Sequence, residues 1–495
     1  MSSVNKSKLL LEMRDAPSYS AWVKLAKAHD LATGKEKWRK KVKSPLYDYS
    51  AIERRLEELR TLRKARDQRG LLYTLNQGIH GNIGGMGSSK LYRQSKFGTK
   101  ELIIDYIDEV VTALQHLAKS RSRTIGFEER LEFFRRASHC FGQSGLMLSG
   151  GAALSHFHVG VAKALNDESI LPSVISGSSG GSLVAAVLGT HSDDELDYFF
   201  EPANLVMEAK NEASWMQNLI PFVAPRLDVS DLENVLERML PDVTFAEAYE
   251  ISGRWINVSV APYEQHQTSR LLNAITSPNV YVRKAVMASC AIPGVFPAVT
   301  LEAKSVTTGK RRPYLPRRKW IDGSMSQDMP MKRLSRLYGT NHYIASQVNP
   351  HVLWFLQDPK GRQNLWTTGM NAALRSYQEW LRATQPLTHK MVRSFPPVEY
   401  LYRSFYSVAT QQYTGDITIT PRSPYFNPMR LLARLTEKEL MNLITEGQQA
   451  TYPKIEMIRN CTKISRALQD IIADYEGRAL RKSGKGKGPK LVVAS

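Results

Sequence analysis

Three cysteines are few for a chain of 495 residues, and Cys140, Cys290 and Cys461 are odd in number and far apart. That excludes a disulfide scaffold and a cysteine-paired metal framework, and it fits a reduced intracellular compartment. Acidic residues are also scarce: 47 Asp and Glu against 67 Lys and Arg leave a formal net charge of +20. Such a surplus points to acidic partners, nucleic acid or anionic lipid headgroups, without choosing between them. No apolar run of the chain approaches the roughly 18 residues that a spanning helix needs. At the N-terminus only Leu9 to Leu11 form an apolar run, too short for the core of a secretion signal. The expectation is an intracellular protein, cytoplasmic or peripherally membrane-associated.

What is present is core material: 42% hydrophobic residues with 23% charged suit two or three globular domains. The chain is organised around Ser173 to Thr190, SVISGSSGGSLVAAVLGT, where a short apolar strand turns sharply into a helix of small residues. Inside it Gly177, Ser178, Ser179, Gly180 and Gly181 spell G-x-S-x-G, the pattern of a nucleophile elbow. Glycines on both flanks keep side chains away from the tight backbone around the serine. The N-terminus of the following helix favours negative charge developing on the serine oxygen. Taken alone, the pattern also marks ordinary loops.

Residues 1 to 140 read as a helical accessory domain. Tyr19, Trp22, Leu25, Ala26 and His29 recur at helical steps. A second helix is announced by a capping box at Ser50 and Glu53, with Ile52, Leu56, Leu59 and Leu62 on one face. Gly81 to Ser89 then reads as a flexible loop, lacking the Gly-Lys-Ser/Thr ending of a nucleotide-binding loop. Thr99 to Leu117 resumes as a helix with Leu102, Ile103, Tyr106, Val110 and Leu114 on its apolar side.

From Phe141 the texture becomes α/β, and residues 141 to 340 read as the catalytic domain. A strand at Gly145 to Leu148 leads into Ser149-Gly150-Gly151-Ala152-Ala153, a helix to Asp167, a strand at Val174 to Ile175, and the elbow. Strand-helix-strand-helix order implies a parallel sheet, with both glycine turns at the carboxyl ends of strands, where sites are built. The first turn is not G-x-G-x-x-G, because Leu154 stands where the last glycine would be, so no dinucleotide site is expected. The backbone N–H groups of Gly150, Gly151, Ala152 and Gly180 instead suit an oxyanion hole around a carbonyl attacked by Ser179. A serine needs a base. Two schemes fit: Asp322 followed by His342 or His351 in triad order, or Asp322 acting directly from the turn Lys319-Trp320-Ile321-Asp322-Gly323-Ser324. His156 and His158, at the start of the helix after the glycine loop, read as capping or packing residues.

Ser149-Gly150-Gly151, the G-x-S-x-G at Gly177 to Gly181, Asp322-Gly323, and Ala288-Ser289-Cys290-Ala291-Ile292-Pro293-Gly294-Val295-Phe296-Pro297 together resemble the patatin-like phospholipase family. The N-terminal residues Trp22, Trp38, Tyr47-Asp48-Tyr49, Asn82 and Gly98-Thr99-Lys100 resemble the accessory domain of its yeast and plant triacylglycerol lipase subgroup, and Ser346-Gln347-Val348-Asn349-Pro350-His351 is similar to the same subgroup. The resemblance implies a parallel-sheet core with helices on both faces, flanked by mainly helical N- and C-terminal regions. It implies Ser179 as nucleophile, Asp322 as its base in a dyad, Gly150, Gly151 and Ala152 in the oxyanion hole, and neither metal nor cofactor. Ser149 departs from the glycine that many relatives carry there.

Residues 341 to 475 read as a mostly helical extension. Within it Leu353, Trp354, Phe355, Trp366 and Trp380, interleaved with Arg362, Arg375 and Arg382, suit either a lipid interface or an interdomain core. Residues 476 to 495, ending KSGKGKGPKLVVAS, read as a basic disordered tail. The expected function is a serine lipid acyl hydrolase working on a lipid substrate at a peripheral membrane or lipid-droplet surface, with no nucleic acid partner. The alternatives are a lipid acyltransferase using the same serine and a non-catalytic basic module that binds membranes.

Overall fold

Strands form where apolar residues run on without alternation. In β1 (Gln143–Leu148), Ser144 to Leu148 are all buried, as a parallel strand covered on both faces requires. The others are β2 (Val174–Gly177), β3 (Trp255–Pro262), β4 (Arg270–Asn273), β5 (Glu302–Lys304), β6 (Arg311–Pro313), β7 (Trp320–Asp322), β8 (Thr340–Ser346) and β9 (Ile417–Ile419). Seven of them make one sheet in the order β4-β3-β2-β1-β8-β9, with β7 also paired to β3; β5 and β6 form a separate hairpin. The pairs from β3 through β2, β1 and β8 to β9 are parallel, while β4 and β7 run antiparallel to β3. This is a computed structural model, and the residues it describes are 3–79, 81–120, 124–207, 229–264, 268–292, 296–324, 328–349, 415–422 and 435–482. The aromatic stretch from Leu353 to Arg382, His351, and the end of the tail from 483 lie outside them.

Register places the site. Leu148 of β1 lies opposite Gly177 of β2 and opposite Ser346 of β8, so three strands end together at one edge. Strand alternation then sorts the core into two faces. Leu146, Leu148 and Ile175 pack with the helices His156–Asp167 and Gly180–Thr190, whereas Met147, Val174 and Ala345 pack with Leu334 of the helix Met331–Tyr338. The first of these helices is held from behind by the helix Glu437–Thr451. They cross at Gly160 and Gly447, where a Cβ would come within 1.9 Å of the Ile444 carbonyl oxygen or 2.1 Å of that of Phe157.

A second core joins Ile52, Leu56, Leu59, Ile103, Tyr106, Leu114, Phe133 and Phe134 of the N-terminal helices. The helix Ile455–Lys482 ties the two cores: Ile455 and Ile458 belong to the sheet core, Ile464, Leu468 and Tyr475 to the helical one. Among the residues that carry the N-terminal resemblance, Lys100 is fully buried, its ammonium 4.0 Å from the centre of the Trp38 ring and donating to the Lys41 carbonyl at 2.7 Å.

Three expectations change. The helix expected to start at Ser50 begins at Tyr49, capped by Asp48, which accepts from the Ala51 N–H at 3.1 Å; Ser50 instead donates its hydroxyl to Asp48 at 2.8 Å. A carboxylate is the stronger acceptor for the unpaired N–H groups of a first turn, so it takes the cap. Gly81 to Ser89 is a packed turn rather than a flexible loop. Asn82 accepts from the Gly87 N–H at 3.0 Å, the Gly84 carbonyl accepts from the Asp48 N–H at 2.8 Å, and Ile83 and Met86 are buried. The tail expected from 476 is helical to Lys482, because Tyr475 is buried with its hydroxyl on the Ala118 carbonyl at 2.9 Å and Glu476 pairs with Arg135 at 2.7 Å.

Candidate active site

β2 ends at Gly177, and the next helix begins at Gly180, leaving Ser178 and Ser179 to turn the corner. Ser179 has φ 48° and ψ −129°, a conformation that a side chain rarely adopts and that costs on the order of 1–3 kcal/mol. The flanking glycines make the corner possible: a Cβ on Gly177 would stand 2.2 Å from the Gly181 carbonyl oxygen, and one on Gly181 would stand 2.5 Å from that of Leu148. The strained turn is held by hydrogen bonds. Ser179 N–H donates to Ser289 Oγ at 2.9 Å, Ser289 Oγ donates to the Ser259 carbonyl at 2.8 Å, and Ser182 Oγ donates to the Ser179 carbonyl at 2.6 Å.

Asp322 arrives on β7, paired with Val260 of β3, at the same edge of the sheet. It is 3% exposed, and its N–H donates to the Ala291 carbonyl at 3.0 Å. Its carboxylate accepts from the Ser324 N–H at 2.7 Å. Burial pushes its pKa up to about 6, against the pull of the hydrogen bonds from Ser324 and Ser179. A carboxylate so placed is ionised at neutral pH, yet more basic than an exposed aspartate. Gly323 is needed beside it, since a Cβ there would lie 2.3 Å from the Ser259 carbonyl oxygen. The segment Ala288 to Ile292 therefore touches both residues, Ser289 holding the elbow and Ala291 holding the aspartate.

The glycine loop closes over the serine. A Cβ on Gly150 would lie 3.4 Å from Ser179 Cβ and 2.9 Å from Ser324 Cβ. Of the four N–H groups expected to face an oxyanion, that of Gly150 donates to Asp328 Oδ1 at 2.8 Å. The N–H groups of Gly151, Ala152 and Gly180 make no hydrogen bond among the described residues and stand ready for an acceptor. Ala152 adopts φ 46° to present its own.

A model of the family described as "Patatin-like phospholipase" matches residues 146–334, and one of a domain of unknown function, DUF3336, matches residues 2–139. Triacylglycerol lipase ptl3 of Schizosaccharomyces pombe is 32% identical, the alignment covering 97% of this chain and 99% of that protein. The chain belongs to the patatin-like phospholipase family. Membership places it among lipid ester hydrolases. Triacylglycerol lipase 4 of Saccharomyces cerevisiae is 33% identical over 96% of this chain, and Triacylglycerol lipase SDP1L of Arabidopsis thaliana 30% over 98%. The chain spans only 54% and 60% of the length of those two relatives.

In this patatin-family chain the described histidines considered for the site, His156, His158 and His342, are engaged elsewhere. His158 is fully buried, and burial brings its pKa down to about 4, so the ring is neutral. Its Nε2–H donates to the Ser149 carbonyl at 2.9 Å and its Nδ1 accepts from Ser346 Oγ at 2.7 Å, fixing the start of the glycine loop to β8. Ser149, where many family members carry glycine, accepts from the Val348 N–H at 2.9 Å through its hydroxyl and ties the loop to the same strand end. His156 turns back to the Ala153 carbonyl at 3.1 Å. His342 pairs in register with Ser144, at the opposite end of β1 from Leu148, about 13 Å away along the strand at ~3.3 Å per residue.

Two residues of the site escaped sequence analysis. Ser289 lay inside a family-like segment but had no role there. Asp328, buried at 1% exposure, follows the Asp-Gly turn and accepts from both Gly150 N–H and the Ser178 hydroxyl. The one available signal was a second acid just before Met329-Pro330. Beside the elbow helix runs an apolar crevice lined by Val159, Leu183, Val184, Val187, Phe199 and Met239. It begins at Ser155, whose Cβ would stand 2.8 Å from a Cβ on Gly180, the residue after the serine.

Proposed function

We propose that this chain hydrolyses carboxylic ester bonds of neutral acylglycerols by a Ser179–Asp322 dyad acting through an acyl-enzyme. The observation that carries this is that the buried Asp322 lies at the sheet edge of the strained Ser179 corner, its pKa drawn down by the serine hydroxyl, with no imidazole between them among the described residues. Asp322 takes the hydroxyl proton as Ser179 Oγ bonds to the ester carbonyl carbon. The negative carbonyl oxygen is met by the N–H groups of Gly151, Ala152 and Gly180 and by the N-terminus of the elbow helix. The carbon–oxygen bond to the alcohol then breaks, and Asp322 returns the proton to the departing oxygen. Water adds to the acyl-enzyme with Asp322 again as base, releasing a fatty acid and restoring the serine.

The narrow crevice from Ser155 to Met239, about 40 Å³, presents apolar side chains beside the nucleophile where the first methylenes of an acyl chain could pack, each contributing about 0.8 kcal/mol. The names of the yeast and plant relatives favour triacylglycerol over phospholipid. No helix among the described residues is long and apolar enough to cross a membrane. A net charge of +20 supports peripheral attachment to an anionic droplet or membrane surface. The test is fatty-acid release from triacylglycerol, diacylglycerol and phospholipid, with Ser179→Ala as the blank. Release from triacylglycerol that is lost in the variant supports the assignment, and equal release from both proteins removes it.

A further inference from the structure

We propose that Asp328 is a positioning residue of this hydrolytic site, its Oδ1 joining the glycine loop to the elbow so that the Gly151 and Ala152 N–H groups are aimed at an ester carbonyl on Ser179. The proposal rests on the serine-hydrolase function above. Two turns far apart in sequence must be held in register for attack and oxyanion stabilisation to occur at one carbon. Gly150 lies one residue before the free N–H donors, and Ser178 lies one residue before the nucleophile. Both donate to the same oxygen, Gly150 through its N–H at 2.8 Å and Ser178 through its hydroxyl.

Among the described residues few other hydrogen bonds span that gap, although the loop and the elbow helix also pack directly at Ala152 and Gly180. Ser178 N–H reaches the Leu148 carbonyl at a long 3.3 Å, and Ser149 is tied sideways to β8 rather than to the elbow. A buried carboxylate accepting two such bonds is stiffer than a neutral acceptor, because charge-assisted hydrogen bonds are shorter and about twice as strong. It also takes the Gly150 N–H out of the set that can meet the oxyanion, leaving that work to Gly151, Ala152 and Gly180.

The same placement sets two carboxylates in one buried edge, where the charge of Asp322 raises the pKa of Asp328. Asp328 is thus the charged neighbour of the Asp322 base. The neutral His158 faces the loop carbonyl and contributes no charge.

The experiment compares the full chain with Asp328→Ala and Asp328→Asn. It reads kcat and KM on a short-chain p-nitrophenyl ester, the rate of fluorophosphonate labelling at Ser179, and the pH profile. The alanine variant loses both bonds, and kcat falls about 100-fold with KM within about threefold, the signature of misplaced catalytic groups. The asparagine variant keeps an oxygen that accepts both bonds. It recovers to within about tenfold of the parent, and its acid limb moves to lower pH because a negative neighbour of Asp322 is gone.

Folding is checked by circular dichroism and thermal melting, and should the alanine variant fail to fold, the asparagine variant decides alone by its pH limb. The proposal is overturned if the alanine variant stays within threefold of the parent, if folded alanine and asparagine variants are equally inactive, or if the limb does not move. A parent chain that takes no fluorophosphonate label fails as a serine hydrolase, and the clamp falls with it.

Discussion

The two ends of the central sheet hold the same residue types in different settings. At the amino-terminal edge Ser144 Oγ lies 2.8 Å from His342 Nδ1, Asp416 acts on the same histidine, and all three line a cavity of about 440 Å³. On residue types alone that is a serine, a histidine and an acid around a pocket. At the carboxyl-terminal edge there is a serine and an acid with no histidine between them among the described residues. Among the described residues, only the second edge has a strained corner that lifts the serine out of regular backbone, a helix N-terminus behind it, and N–H groups without a partner in front. Ser144 lies within the extended backbone of β1, beside a register shift in its pairing with β8. Nucleophile chemistry depends on this backbone setting more than on the side chains present.

The most forceful way to break this contrast is to remove the carboxyl-edge pair. Ser179→Ala is expected to lower ester hydrolysis by about four orders of magnitude or more, and Asp322→Asn by about three. Fatty-acid release measured on folded protein checks both. An Asp322→Asn enzyme within tenfold of the parent would mean that another group serves as base.

Next in size is the pH dependence. Because burial raises the Asp322 pKa to about 6, the base form is lost as pH falls through that value. kcat/KM is expected to drop tenfold per unit below about pH 6 and to be flat above it, up to the next ionisation. A base with an imidazole in series would instead give a limb that follows His342 or His158, and a limb that disappears in a histidine variant would reverse the assignment.

Stability should run the other way. A carboxyl whose pKa is higher folded than unfolded binds its proton more tightly in the native state, so its contribution worsens as pH rises from about 4 to about 6 and stays unfavourable above. Asp322→Asn should therefore be more stable than the parent at pH 8, on the order of 2 kcal/mol, with the gain vanishing near pH 4. Denaturant melts at the two pH values check this. Equal stability at pH 8 would mean that the carboxylate is better solvated than its burial implies.

How much of this was legible in advance follows from the distances over which residues act. The elbow, the glycine loop and the Asp-Gly turn are local patterns, written within a few residues by glycine spacing and strand ends. Asp322 was the acid in both schemes read from its strand-to-glycine turn, but choosing the dyad over a triad took a family resemblance, since no local rule sets β7 against β3 at the edge of the elbow. The cap at Asp48 was misplaced by two residues because Ser50 and Asp48 compete for one helix start, and only geometry shows the hydroxyl serving the carboxylate. Ser289 and Asp328 were illegible for a deeper reason. Their roles are hydrogen bonds to backbone or to a single hydroxyl across the sheet edge, and neither leaves a periodicity or a spacing in sequence.

The smallest expected effect is the most informative about the contrast between edges. Ser144→Ala and His342→Ala should leave ester hydrolysis within about threefold of the parent, and a fluorophosphonate should not modify Ser144. His342 is half-buried and shifted down, its Nε2 lacks a partner among the described residues, and its Nδ1 is engaged by Ser144. A neutral imidazole in that state can take a proton, but a serine held in the strand has no preorganised donors for the oxyanion that attack would create. The cost of that omission is about 10²- to 10³-fold per missing donor, enough to silence the site even with the three residue types in place. Labelling of Ser144 would show that side chains outweigh backbone setting, and the base at the carboxyl edge would then have to be argued again from its hydrogen bond alone.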